Sequence, residues 1–388
     1  MIADNKKIID EILEIRRRLH EMPELSYKEY STTELIKQTL SGWQLKFNHF
    51  KELETGGFCD IGQGETVLFR ADIDGLPVTE NKDHEIISKK RGRMHACGHD
   101  FHIAIGLGLL RYFQKFPDKL NGKLRVIFQP AEEAAPGGAE YVIKEDIWEN
   151  VRAIFGIHVN PREPVGKVIL PQEIVNASST SIFITLNGPG GHTSRPDETV
   201  DLIHVCCEYV TQMKNFLINS IDPRETLAIA FGKIDGGHSH NAIPQKIILR
   251  GTLRSHDNEI SEKARELIRN FSTSFGNLNN MKIDVQFPTY TPVTINNKDL
   301  VNLLLDFMRK AGRESRVIIP EKPSMGTDDF AFFSNKIPGL YFWIGGAGGG
   351  EAHTGDFIID EKILKPAIEY LSGYIEYYFS RAEIHPRI

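Results

Sequence analysis

The spacing of apolar and polar residues predicts alternating strands and helices along the N-terminal part of the chain. Apolar residues recur at helical spacing over 6–20, 30–40 and 102–113, so we expect three helices there. Three short apolar runs predict strands, at Thr66–Ile73, Lys123–Phe128 and Ala153–Ile157. Polar residues follow each strand directly, which is typical of an α/β sheet that binds its ligand at the carboxyl ends of its strands.

The middle of the chain has a different order of elements. The pattern there predicts strands over 181–187, 226–234, 246–254 and 281–287, and helices over 198–217 and 257–275. This β-α-β-β-α-β order is typical of a ferredoxin-like α+β fold. Because the α/β pattern resumes afterwards, we predict a catalytic domain formed by 1–176 and 290–388 and interrupted by a lid domain at 177–289.

Composition and charge narrow the class of protein. The chain has 388 residues, of which 40% are hydrophobic and 25% charged, and a formal net charge of −6. These values indicate a globular protein of two or more domains, and they argue against nucleic acid or an anionic membrane as a partner. We find no secretory signal and no uncharged apolar run of about 18 residues. We therefore expect a soluble, cytoplasmic protein whose four cysteines are reduced thiols.

Residues with metal-binding side chains follow the predicted strands. Cys97 and His99 flank a glycine, and in a loop they can turn toward one point, although such pairs also occur in protein cores. Glu132 and Glu133 follow the second strand, where paired carboxylates indicate either a solvated loop or a bound cation. Adding the histidines after the third and last strands gives five predicted ligands: Cys97, His99, Glu133, His158 and His353. Five ligands exceed the needs of one tetrahedral ion, so we expect two ions that share a ligand.

The motifs of the chain, in their order, resemble the di-metal amidohydrolases of the aminoacylase and hippurate-hydrolase kind. That group includes auxin-conjugate hydrolases and N-acetyl-diaminopimelate deacetylases. The matching segments are RRLHEMPEL at 17–25, RADIDGLP at 70–77, HACGHD at 95–100, QPAEE at 129–133, GIH at 156–158, GPGGHTSRP at 188–196, NAIP at 241–244 and GTLR at 251–254. The resemblance implies a metal-dependent aminopeptidase/carboxypeptidase-like catalytic domain with two divalent ions, and a lid domain that forms a homodimer or a higher oligomer.

The resemblance also implies roles for residues of the predicted catalytic domain. It places Cys97 at the position that bridges the two ions and makes Glu132 the general base. An independent physical reason supports Glu132, since a carboxylate beside an activated water can accept its proton and pass it to the leaving amine. Asp74 is implied to orient a ligand or the surroundings of Glu132, and the alternative is an ordinary Asp-Gly turn.

Three residues of the predicted lid are implied to act on the substrate. His192 follows a glycine-rich loop and can donate to a developing oxyanion. In the family this histidine reaches the active site of the neighbouring subunit. Asn241 and Arg254 are implied to hold the carboxylate of the substrate, a task that suits the planar guanidinium. The alternative for Arg254 is a surface residue on a strand.

These residues lead us to expect a metal-dependent amidohydrolase. It would cleave N-acetyl or aromatic-acyl conjugates of amino acids to a carboxylic acid and a free amino acid. The first alternative is a dipeptidase or carboxypeptidase of the same family, and less favoured is a metal-binding homologue without activity. A hydrolase that uses Cys97 as nucleophile fits poorly, because only metal ligands could orient it. Thiolate and imidazole ligands suit zinc, and manganese, cobalt or nickel are the other metals expected.

Other residues receive no catalytic role. Eight histidines are expected to be surface or core residues: His20, His49, His84, His204, His238, His240, His256 and His385. We assign no role to His95 or His102, which flank the predicted ligand pair. The chain departs from the family pattern at Asp328, where relatives commonly have glutamate, and at Ala352 and Gly355, which leaves the substrate preference open.

Overall fold

The computed structural model describes residues 2–81 and 84–382, which fold into two compact units. The core unit comprises the chain up to Val175, Ile295–Lys322 and the chain from Asp328 onward. The inserted unit comprises Asn176–Thr294 and Pro323–Thr327. His385, one of the histidines without an assigned role, lies outside the described residues.

The core unit contains an eight-stranded sheet with helices on its faces. Its strands are β1 (Phe47–Asn48), β2 (Gly57–Gly62), β3 (Thr66–Asp72), β4 (Lys123–Gln129), β5 (Val151–Asn160), β6 (Val168–Ile169), β16 (Val317–Ile318) and β17 (Gly339–Gly345). Its helices are α1 (Ile2–Glu21), α2 (Tyr30–Gly42), α3 (His99–Lys115), α4 (Ala139–Val142), α7 (Lys298–Lys310), α8 (Ala331–Ser334) and α9 (Leu364–Ala382). The strand order is β1-β2-β4-β3-β5-β17-β6-β16.

Both faces of this sheet are buried. On β3, Val67 and Phe69 belong to the apolar cluster that includes residues of α1, α3 and α9, whereas Leu68 belongs to a separate cluster with Phe330 and Tyr341. Two-sided burial explains why the central strands are continuous apolar runs rather than alternating ones. The arrangement confirms the predicted α/β class.

The four central strands bring the candidate site together. β3 is parallel to β4 and β5, and β17 is parallel to β5. Their carboxyl ends therefore lie at one edge of the sheet, which is where ligands bind in α/β folds. The segments that hold Asp74, Glu133, His158 and His353 end or follow these four strands.

The inserted unit has its own sheet and its own apolar core. Its strands are β8 (Ser178–Asn187), β9 (Gly191–His192), β10 (Leu227–Gly236), β11 (Ala242–Ile243), β12 (Lys246–Ser255), β13 (Lys282–Gln286) and β14 (Tyr290–Thr291). Its helices are α5 (Leu202–Ser220) and α6 (Asn258–Leu278), and β7 (Ile174–Asn176) and β15 (Thr294–Ile295) lie at its junctions with the core unit. The antiparallel order β10-β12-β8-β13 is the predicted ferredoxin-like arrangement.

The inserted unit takes more of the chain than the segment 177–289 that we predicted for it. Tyr290–Thr291 pairs with β8. The segment Pro323–Thr327 also belongs to this unit, because the Ala177 N–H donates to the Ser324 carbonyl oxygen at 3.0 Å. Long-range hydrogen bonds of this kind leave no signal in local hydrophobic spacing.

Two further features concern the whole chain. None of the described helices is long and apolar enough to cross a membrane. Cys59, Cys97 and Cys206 are buried and Cys207 is exposed, and all four are free thiols.

Candidate metal centre

The segment from Cys97 to His99 is a tight turn that leads into α3. Gly98 has a φ of +83°, a left-handed conformation that strains residues with a Cβ atom. A Cβ atom at Gly98 would also lie 2.3 Å from Cγ2 of Val159. We expected both ligands in a loop, but His99 is the first residue of the helix. The left-handed glycine, rather than a longer loop, brings the side chains of Cys97 and His99 together.

Cys97, His99 and His158 form one group of potential ligands. One ligand atom from each lies within 4.8 Å of the others, and Sγ of Cys97 is 3.2 Å from Nε2 of His158. Nδ1 of His158 donates to the carbonyl oxygen of Val159 at 2.7 Å, so the lone pair of Nε2 faces the thiol. Burial lowers the pKa of His158 to about 4, which keeps the ring in the neutral form that binds metals.

Cys97, Glu133 and His353 form a second group with ligand atoms within 4.8 Å of one another. Nε2 of His353 is 3.1 Å from Oε1 of Glu133. The backbone N–H of His353 donates to the carbonyl oxygen of Ala96 at 2.9 Å, which ties the loop after β17 to the Cys97 turn. Hydrogen bonds with Cys97 and Glu133 raise the pKa of His353 to about 10. The thiol and the carboxylate therefore favour a positive charge at this point.

The donor set fits two divalent cations, with Cys97 common to both groups. Nδ1 of His99 is 2.9 Å from the carbonyl oxygen of Asp74, to which it donates, so in the neutral ring the lone pair is on the buried Nε2. That nitrogen has no hydrogen-bond partner among the described residues, and it lies 4.0 Å from Oε1 of Glu133. A buried ring nitrogen without a partner fits a metal ligand, because a bound cation would accept its lone pair.

Asp74 contacts both a predicted ligand and the loop of the predicted base. Its Oδ1 is 3.2 Å from Nδ1 of His99. Its Oδ2 accepts hydrogen bonds from the hydroxyl of Ser26 at 2.7 Å and from the N–H of Glu133 at 3.0 Å. Burial acts to raise the pKa of Asp74, but the hydrogen bonds from His99 and Ser26 hold it below its ordinary value. This buried carboxylate orients the His99 ring, as outer partners of metal ligands do.

Glu132 lies beside both ligand groups. Its Oε2 is 3.9 Å from Nε2 of His99, and one of its oxygens lies within 4.8 Å of carboxylate oxygens of Asp328 and Asp329. Burial and the neighbouring carboxylates of Glu133, Asp328 and Asp329 raise the pKa of Glu132 well above its ordinary value. A carboxyl group with a raised proton affinity can take up a proton and hold it near neutral pH.

Behind the ligands lies a buried layer of charged residues that we did not predict from the sequence. Nδ1 of His102 donates to Asp72 at 2.6 Å, and its Nε2 accepts the N–H of Val159 at 3.1 Å, so both ring nitrogens are occupied. Arg70 joins Asp72 to Asp329, with a distance of 2.6 Å to the latter. Arg70 and Asp72 lie in a strand that is otherwise mostly apolar. Charged residues in such a strand are the sequence signal that predicts this layer, because charged groups are buried only with partners.

Two other histidines of the core unit lie near this layer. Nδ1 of His20 is 2.8 Å from Asp100 and its Nε2 is 2.9 Å from Glu80, so His20 is the satisfied core residue that we expected. His95 is buried, and neither of its ring nitrogens has a hydrogen-bond partner among the described residues.

In the inserted unit, β9 and β11 bring His192 and Asn241 together. His192 pairs with Ala242, and the N–H of Thr193 donates to the carbonyl oxygen of Asn241 at 3.2 Å. The N–H of Ser194 donates to Nδ1 of His192 at 3.1 Å, which places the proton of the neutral ring on Nε2. The exposed Nε2–H group is a donor of the kind that stabilises an oxyanion.

Arg254 is partly buried on β12 in the same unit. Its Nη1 donates to the carbonyl oxygen of Met325 at 2.7 Å and to the hydroxyl of Thr327 at 2.9 Å. Burial lowers the pKa of Arg254. The two hydrogen bonds hold the guanidinium in one place, unlike the solvated side chain of an ordinary surface arginine.

Residues 68–377 match the sequence profile of Peptidase family M20/M25/M40. The chain belongs to this family. It is 35% identical over 379 residues to the N-acetyldiaminopimelate deacetylase of Leuconostoc mesenteroides, an alignment that covers 95% of this chain and 97% of the relative. It is 34% identical over 372 residues to thermostable carboxypeptidase 2 of Saccharolobus solfataricus, with 93% and 94% covered.

A solved structure of the M20 family is similar to the whole chain. The dinuclear metal binding peptidase of Bacillus subtilis superposes with a TM-score of 0.84 at 29% identity, covering 97% of this chain and 99% of that protein. The match confirms the resemblance to the di-metal amidohydrolases and the mixed α/β fold class. The M20 chain is therefore a hydrolase of the metallopeptidase and amidohydrolase type, and its donor set, together with this relative, supports two divalent ions.

Proposed function

We propose that this M20 hydrolase cleaves the amide bond of N-acyl amino acids, with N-acetyl or aromatic-acyl conjugates as substrates. The observation that carries the proposal is the pair of ligand groups that share Cys97, with Oε2 of Glu132 3.9 Å from Nε2 of His99. The deacetylase relative supports an N-acyl substrate. We infer that zinc or manganese is the metal, and that cobalt or nickel can substitute.

Each candidate site residue of the core unit has a defined task in this proposal. Cys97, His99, Glu133, His158 and His353 would hold the two ions. When bound, such ions lower the pKa of water and polarise the scissile carbonyl group. Glu132 accepts the proton of the attacking water and then donates it to the leaving nitrogen. Asp74 holds the His99 ring in a fixed orientation while this proton moves.

Residues of the inserted unit would bind the substrate. His192 donates from Nε2 to the oxyanion that develops on the carbonyl oxygen. Asn241 and Arg254 bind the carboxylate of the amino-acid part, which the guanidinium can contact in two places. We further propose a cytoplasmic homodimer, in which the inserted unit forms the subunit interface and His192 serves the neighbouring active site.

Carboxypeptidase or dipeptidase activity is the second candidate, and the carboxypeptidase relative favours it. A dipeptide carries a free α-amine, which needs an acidic partner in the substrate site. Hydrolysis of N-acetyl, N-benzoyl and aminoacyl conjugates of one amino acid would rank the two candidates. The proposal predicts that the acyl conjugates turn over faster, and preferential hydrolysis of dipeptides would favour the second candidate.

Glu132→Gln tests the proposed chemistry. Glutamine keeps the shape of the side chain but cannot take up the proton, so kcat is expected to fall at least about 10²- to 10⁴-fold. The content of bound metal should remain that of the wild type, which elemental analysis of the purified protein measures. A Glu132→Gln variant that keeps both its metal and its turnover would contradict the assignment of the base.

A further inference from the structure

Glu29 is a buried carboxylate with an unusual set of partners. It is the N-cap residue of α2, yet its side chain makes no capping bond to that helix. Its Oε1 accepts the N–H groups of Ala131 at 2.8 Å and of Tyr27 at 3.0 Å, and its Oε2 accepts the hydroxyl of Thr55 at 2.7 Å. The residue is 0% exposed.

Among the described residues, the donors that bind this carboxylate are all neutral groups. Burial and the nearby negative charge of Asp74 disfavour the charged form and raise the pKa of Glu29 to about 7. A buried carboxyl group of this kind is costly for folding, and packing alone would be served better by an apolar side chain. Costly groups of this sort are found where the function of a site requires them.

The loop that Glu29 holds is the one that carries the proposed base. Ala131 precedes Glu132 and has a φ of +56°, a left-handed conformation that is strained for alanine. The carbonyl oxygen of Ala131 accepts the N–H of Gly138 at 2.9 Å. On the other side of Glu132, the N–H of Glu133 donates to Asp74. Two buried carboxylates therefore fix the backbone before and after Glu132.

We propose that Glu29 is a positioning residue for amide hydrolysis, which holds Glu132 in place through the N–H of Ala131. The inference rests on the proposed function of Glu132 as the base. Without this acceptor, Ala131 relaxes toward a negative φ and the Glu132 carboxylate moves away from His99. A displacement of about 1 Å at a reacting group lowers turnover about 10²-fold.

Substitutions at Glu29 separate positioning from folding. Glu29→Ala removes the acceptor and is expected to lower kcat about 10²-fold with KM and metal content unchanged. If Glu29→Ala does not fold, Glu29→Asp replaces it, because the shorter side chain keeps the charge but draws the acceptor away from Ala131. Glu29→Gln restores kcat, since its amide oxygen can accept the same two N–H groups.

The control is Glu24→Ala, which removes another buried carboxylate of the same segment. Glu24 accepts the N–H of Thr32 at 2.8 Å and so holds α2 rather than the Glu132 loop. This control is expected to lower stability and to leave kcat unchanged. An equal loss of kcat in Glu24→Ala would show a general structural effect and overturn the inference.

Native-state hydrogen exchange gives a readout that does not depend on activity. The Ala131 amide is expected to exchange faster in Glu29→Ala or Glu29→Asp than in the wild type, and to stay protected in Glu29→Gln. Two results would overturn the role of Glu29 alone. One is unchanged exchange of the Ala131 amide in Glu29→Ala, and the other is an unchanged kcat of Glu29→Ala while Glu132→Gln is inactive. An active Glu132→Gln instead overturns the proposed base, so the two failures are distinguishable.

Discussion

At the scale of single residues, a thiol stands where the two ligand groups of the centre meet. Cys97 is the residue common to the group with His158 and the group with His353. A thiolate is a softer ligand than a carboxylate and favours zinc over manganese more strongly. It can also be oxidised, so loss of activity on oxidation and its recovery with a thiol reductant would follow from this position.

Glu29→Gln is expected to stabilise the metal-free protein above neutral pH. The pKa of Glu29 is raised from 4.5 to about 7 on folding, so the stability that its neutral form contributes is complete below pH 4.5 and is lost as the pH rises through 7. Glutamine does not ionise, so the variant should gain about 3 kcal/mol in unfolding free energy over the wild type across this range. Urea unfolding at about pH 4 and about pH 8 measures the gain. If the unfolding free energies of Glu29→Gln and of the wild type differ by the same amount at both pH values, the prediction is wrong.

At the scale of elements, the centre depends on where strands end and α3 begins. The parallel strands β3, β4, β5 and β17 deliver one segment each to the same edge of the sheet. The turn at Gly98 adds Cys97, which precedes α3, and His99, the first residue of that helix. The positions of the ligands are thus set by backbone geometry that packing of the sheet and helices holds fixed.

Gly98→Ala is expected to weaken metal binding. The added Cβ atom would strain a left-handed residue and approach Val159, and we expect a loss of about 1–3 kcal/mol in stability together with displacement of Cys97 and His99. Gly92→Ala is the matched control, because Gly92 has a similar φ of +70° but nothing within 4 Å of an added Cβ. Calorimetric titration with zinc compares the two variants. Equal affinities would show that the turn does not position the ligands.

Part of this architecture could be predicted from the sequence. Apolar strands followed at once by polar residues led to Glu133 and His158, because the carboxyl ends of parallel strands share one edge. His353 lies beyond the glycine-rich loop after the last strand, so spacing alone could not identify it. The role of Glu29 could not be predicted, since a glutamate before a helix resembles a solvated N-cap residue. Its partner Ala131 is far away along the chain, and only the folded structure shows the bond between them.

At the scale of the whole molecule, the proposed reaction needs residues from both units. The five proposed metal ligands and Glu132 belong to the core unit, and His192, Asn241 and Arg254 belong to the inserted unit. Each unit has an apolar core of its own, in keeping with an insertion between two segments of an α/β domain.

Mixing two inactive variants tests the proposed dimer and the role of His192. His192→Ala lacks the oxyanion donor and Glu132→Gln lacks the base, so each alone is expected to be inactive. If His192 serves the neighbouring subunit, a mixed dimer contains one site with an intact Glu132 and an intact His192. Unfolding and refolding the two proteins together should therefore restore part of the turnover. Activity no higher than that of the separately refolded variants would exclude action between subunits.

The most direct test of the metal centre is the number of ions bound per chain, measured by elemental analysis after reconstitution with zinc. The account predicts two ions in the wild type, one in His158→Ala and in His353→Ala, and loss of both in Cys97→Ala, because only Cys97 belongs to both groups. Turnover of an N-acyl amino acid should fall with the metal content. A wild-type chain that binds no zinc, or a Cys97→Ala variant that keeps two ions, would contradict the account.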